Sequence, residues 1–104
     1  MSSDKLNTIT PNNEIGLFFT KARRVVVGQD FKEMALWIQA GTAGTIVWYN
    51  EEISEYGVLS FEAGESKPIA CTKIVSSAVI DGVTETTTSG NMFWMTSAQR
   101  IGRN

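Results

Sequence analysis

Met34-Ala35-Leu36-Trp37-Ile38-Gln39, then Ala40-Gly41-Thr42-Ala43-Gly44, then Thr45-Ile46-Val47-Trp48-Tyr49-Asn50 is the stretch that sets the fold class. Leu36 to Ile38 and Ile46 to Tyr49 are β-branched and aromatic runs of strand length. The glycines between them reach positive φ at no steric cost. The simplest reading is a β-hairpin closing over Gly41-Thr42-Ala43-Gly44, with Trp37 and Trp48 near the core. Downstream, Ala63-Gly64-Glu65-Ser66-Lys67-Pro68 is a second glycine turn that launches a strand from Ile69 to Val75.

The same grammar continues outward. Leu59 and Phe61 alternate with polar neighbours, as a half-buried strand does. Asp81-Gly82 is a strong hairpin signal between Ala78-Val79-Ile80 and the threonine-rich return Val83 to Thr88. Met92 to Thr96 is a last apolar strand. On the N-terminal side, Lys21 to Val27 reads as a strand with a basic start. Asp30 is placed to cap a short turn through Phe31-Lys32-Glu33, the one weakly helical patch. The expectation is an all-β chain, a small antiparallel β-sandwich or partly open barrel of about seven strands with flexible N- and C-terminal arms. Residues 1–20 form the N-terminal arm with its apolar docking segment, 21–98 the β domain and 99–104 the tail.

At 104 residues with 42% hydrophobic content, the chain has room for one core and no more. A net charge of −2 lacks the basic face that a dedicated nucleic-acid binder needs. The single cysteine, Cys71, has no partner for an internal disulfide and sits in a predicted strand as a small buried hydrophobe. No apolar run approaches a membrane span and no basic-plus-apolar leader opens the sequence, so the expected site of synthesis is a cytoplasm.

The chain contains no histidine, which removes the commonest general base and most transition-metal ligands. No phosphate-cradling glycine loop opens a helix. Glu51 to Glu65 carries five glutamates and no basic residue, read as a solvated loop rather than a Ca²⁺ site because Asp and Asn are missing at loop-ligand spacing. Neither an enzymatic activity nor a cofactor or metal is expected. Trp37, Trp48 and Trp94 offer a different function, stacking on sugar rings if exposed, against the plainer reading that they fill the core.

Ile15 to Phe19 is unusually apolar for a segment so close to a terminus. It is either a first strand or flap over the core, or a segment that buries its phenylalanines on another subunit. The candidate interface residues are therefore Leu6, Ile9, Phe18 and Phe19, with Arg23 and Arg24 as the adjacent basic cluster.

The order of these elements resembles a known family. A strand after a basic start is followed by Leu36-Trp37-Ile38 and Gly41-Thr42-Ala43-Gly44, then Ala63-Gly64 with Pro68-Ile69, then Thr72 to Val75 and a threonine-rich segment. Over roughly Lys21 to Ala98 this is similar to the small spike-base family of tailed-phage heads and gene transfer agents. The resemblance implies a non-enzymatic virion protein on the head exterior. It would form a homo-oligomer, a trimer or pentamer, seated on the major capsid protein and carrying a spike or fibre, with no nucleic acid or membrane as partner. The rival expectations are a glycan- or receptor-binding module using exposed aromatics, and a neck or tail component.

Overall fold

The computed structural model describes residues 16–19, 22–96 and 98–101, the first and last of these segments as backbone. The chain is all-β. Its strands are β1 (Gly16–Phe19), β2 (Ala22–Arg24), β3 (Ala35–Gln39), β4 (Gly44–Asn50), β5 (Glu55–Phe61) and β6 (Ser66–Cys71), followed by β7 (Lys73–Val75), β8 (Ser77–Ile80), β9 (Val83–Thr86), β10 (Phe93–Met95) and β11 (Ala98–Ile101). No helix occurs among the described residues; Asp30 instead accepts a 2.6 Å hydrogen bond from Lys32 N–H across a tight turn.

Two sheets face each other. One runs β2-β10-β3-β6 and the other β5-β4-β7, all antiparallel. Ile38, Ile69, Cys71 and Trp94 of the first sheet and Ile46, Phe61 and Ile74 of the second share one buried cluster. Ile38, Ile46, Ile74 and Cys71 have no exposed surface. Each strand turns one face to the shared core, Ile46 and Trp48 along β4, and Ala35 and Ile38 on either side of the bulge in β3.

The expected hairpin through Gly41–Gly44 does not form. β3 pairs with β10 and β6, whereas β4 pairs with β5 and β7, so the glycine segment carries the chain from one sheet to the other. Its glycines serve close approach more than reversal. A Cβ on Gly41 would collide with the Gly90 and Asn91 backbone, and one on Gly44 with Thr88 and Ser89. Gly41 and Thr42 N–H both donate to Gly90 C=O, while Ser89 Oγ donates to Thr42 C=O at 2.7 Å. The hairpin partner of β4 is β5, reached through the acidic turn Glu51–Ser54 and registered from Asn50↔Glu55 to Gly44↔Phe61. Trp48 faces the core and lies over Gly57, its cross-strand neighbour, where no side chain would fit. Trp37 stands beside a bulge, half-buried and outside the core cluster.

Two expected strands are interrupted. The run Ile69 to Val75 switches sheets at Thr72, whose N–H and hydroxyl both donate to Tyr49 C=O while its own C=O accepts from Phe31 N–H. Of the run Lys21 to Val27, β2 covers Ala22–Arg24; Val25 N–H still donates to Met92 C=O while its side chain is buried, and Gly28 N–H reaches Ile74 C=O of β7. Strand breaks of this kind, together with β1 and β11, raise the count from about seven to eleven among the described residues.

The Asp81-Gly82 hairpin forms as the sequence signals. β8 and β9 pair with Ile80 opposite Val83, and positive φ at Asp81 (51°) and Gly82 (81°) matches the twist of a two-residue turn. This hairpin lies against β5 and β4, on the face of that sheet turned away from the main core. Val47, on that outer face, is fully buried.

Candidate assembly surfaces

The threonine-rich segment is structural. β7 covers β4 only from Val47 to Tyr49, so the rest of that edge of β4 lacks a strand. Thr86 to Ser89 fills it with hydroxyls. Thr87 Oγ1 accepts from Val47 N–H at 2.9 Å and donates to Val75 C=O at 2.6 Å, bridging the two strands. Thr88 Oγ1 accepts from Thr45 N–H, and Thr45 Oγ1 donates to Thr86 C=O.

The six residues expected at an interface divide into three groups. Leu6 and Ile9 lie outside the described residues. Phe18 and Phe19 belong to β1, whose backbone pairs with β11 in the register Phe18↔Gln99 and Phe19↔Ala98. These two strands hydrogen-bond to each other and to no other strand among the described residues, making a ribbon from opposite ends of the chain. The boundary expected at Ala98 falls inside it.

Arg23 and Arg24 are exposed on β2, an edge strand. Arg23 is committed within the chain: its Nη1 donates to Glu33 Oε2 at 2.8 Å, and its guanidinium lies 5.3 Å from the Trp94 ring centre. Trp94 stacks on Phe31 from the other side at 4.4 Å, with the rings 10° from parallel. Arg24 sits 5.0 Å over Phe93 and pairs with no carboxylate among the described residues. Beyond it, Val26 and Val27 are exposed.

Trp94 is buried, and Trp37 and Trp48 are half-buried. The exposed aromatic among the described residues is Tyr56. Its ring tilts against Tyr49 at 4.6 Å, and Lys73 Nζ lies 5.5 Å over Tyr49. Tyr56 borders a groove of about 430 Å³ between the start of β5 and the tip of the β8–β9 hairpin, lined also by Ser54, Glu55, Val79, Ile80 and Asp81. Nothing along the chain marks this groove, because it joins residues that only the packing of the hairpin brings together.

A larger open cleft of about 600 Å³ lies between the Asp30–Met34 loop and Glu51, Glu52 and Thr72. No group of three or more His, Cys, Asp or Glu side chains placed to hold a metal ion occurs among the described residues. Cys71 is fully buried, and desolvation pushes its thiol up to about 12, so it stays protonated at neutral pH.

Comparison with protein families, with curated proteins and with solved structures finds no match to this chain.

Proposed function

We propose that the chain is a non-enzymatic structural protein of a virion surface, a homo-oligomeric spike-base or decoration protein that docks on the head. The observation that carries this reading is the β1–β11 ribbon. A lone two-stranded ribbon is marginal in water, and this one is unpaired on both outer edges among the described residues. Its β1 sequence is Gly-Leu-Phe-Phe. Three of these four residues are large and apolar, more than a solvated ribbon needs. An element of this kind gains its stability on assembly, and the family resemblance points to the same role.

The test is co-sedimentation of the purified protein with capsids that lack it, with native mass measured in parallel. The expected result is saturable binding at a fixed copy number by an oligomer. The doubly substituted Phe18→Ser, Phe19→Ser chain should keep its native near-ultraviolet dichroism while losing capsid binding. A wild-type chain that remains unbound and monomeric overturns the reading. So does a double variant that binds like wild type.

A further inference from the structure

We propose that copies of this chain associate head to tail, the β2 edge of one subunit seating in the Tyr56 groove of the next. This rests on the homo-oligomeric reading above and names its contact surfaces.

The first argument is position. In the first sheet β2 and β6 are opposite edges, and in the second β7 and β5 are. β6 lies beside β5, where Lys67 Nζ donates to Ser60 C=O at 2.7 Å. The chain leaving β2 meets β7 through Gly28 and Ile74. The β2 edge and the β5 edge are therefore on opposite sides of the sandwich, each with one strand edge unpaired among the described residues. Two different surfaces on opposite sides make a heterologous contact, which closes into a ring where the rotation between copies closes and otherwise extends as a filament.

The second argument is charge. The groove carries Glu55 and Asp81, and neither side chain has a hydrogen bond or ion pair among the described residues. The β2 edge carries Arg24, a cation without a carboxylate partner among the same residues. Each surface thus lacks what the other offers. A second β2 edge is a poor occupant of the first, because it would set arginine against arginine.

The third argument is apolar complement. Val26 and Val27, 55% and 43% exposed, adjoin Arg24; Tyr56 and Val79, 46% and 66% exposed, adjoin the two carboxylates. Seating one surface on the other covers both apolar patches and leaves the charges at the rim, where they orient the approach.

The experiment uses the full-length chain and two variants, R24E and E55R/D81R, with native mass followed by sedimentation at low and high salt. All substituted residues are exposed, and near-ultraviolet dichroism checks that each variant keeps its fold. Each variant alone should lose self-association, with affinity weakened roughly thirtyfold or more. Mixed together they should associate again, because the first keeps the acidic groove for the Arg24 edge of the second, and the reversed edge of the first meets the reversed groove of the second. Should either variant fail to fold, R24Q and E55Q/D81N replace them; this neutral pair retains one charged contact between its members, and mixed it should give a dimer and nothing larger. Unchanged assembly of both variants overturns the contact while leaving the oligomeric reading intact. A wild-type chain that stays monomeric at high concentration also overturns it, whether or not that chain binds capsids.

Discussion

At the scale of single residues, the interior is organised so that small groups meet backbone at close range. Gly41 and Gly44 admit the Thr88–Asn91 segment, Gly57 admits the Trp48 indole, and Asn50, a buried polar side chain, is used twice. Its Nδ2 donates to Ala70 C=O at 3.1 Å, and its Oδ1 accepts from Glu52 N–H at 2.9 Å, which fixes the entry to the acidic turn. Among the described residues Cys71 is the buried titratable group. Burial raises its pKa from an ordinary 9.0 to about 12, so the native thiol holds its proton while the unfolded one gives it up. Its contribution is full below about pH 9 and is lost as pH rises towards 12, with a limiting slope of about 1.4 kcal/mol per pH unit. Denaturant titrations between pH 8 and 12 should therefore show a steeper alkaline loss of stability for wild type than for Cys71→Ala. Parallel curves would refute the assignment.

At the scale of elements, the threonine segment replaces a missing strand. Where β7 stops short, Thr87 supplies one acceptor and one donor from a single hydroxyl, so the edges of β4 and β7 are joined without a further ladder. Thr87→Val keeps the shape and removes both bonds, leaving Val47 N–H and Val75 C=O without this partner. The expected loss is about 2 kcal/mol in denaturant unfolding, since an unsatisfied buried group costs about 1–3 kcal/mol. Thr84→Val is the control: Thr84 is exposed on β9, and its substitution should stay within about 0.5 kcal/mol of wild type. Equal effects at the two positions would show that threonine acts there through strand propensity rather than through its hydroxyl.

At the scale of the whole molecule, the two sheets share one core. Ile46 and Ile74 enter it from one side and Ile38 and Trp94 from the other, so neither sheet has a separate interior. Ile46→Ala should cost about 3 kcal/mol through lost burial and the cavity left behind. Unfolding followed by tryptophan fluorescence and by far-ultraviolet dichroism should give superimposable transitions. Separated transitions would mean that the sheets are independent units, contrary to the shared cluster. The β1–β11 ribbon pairs the first and last described strands of the chain.

The sequence by itself determined the class and the local turns. Alternating apolar runs, glycine at the reversals and the Asp81-Gly82 pair are consequences of side-chain period and φ freedom, which need no distant partner. Cys71 as a buried hydrophobe and Asp30 as a turn-capping side chain were legible for the same reason. Sheet membership was not. The Gly41–Gly44 segment suits a hairpin as well as a crossover, and the choice fell to the pairing of β3 with β10, which lies some fifty residues away and buries Trp94 beside Ile38. Thr72 looks like any strand residue until Tyr49, Glu51 and Phe31 converge on it from three other segments. Arg23 and Arg24 read as one basic cluster, yet the fold gives Arg23 to Glu33 and leaves Arg24 unpaired among the described residues. The Tyr56 groove exists only because the β8–β9 hairpin folds back over β5. Turn chemistry is local and can be read along the chain; strand partners are chosen by which distant apolar faces exclude water together, and that is decided only in three dimensions.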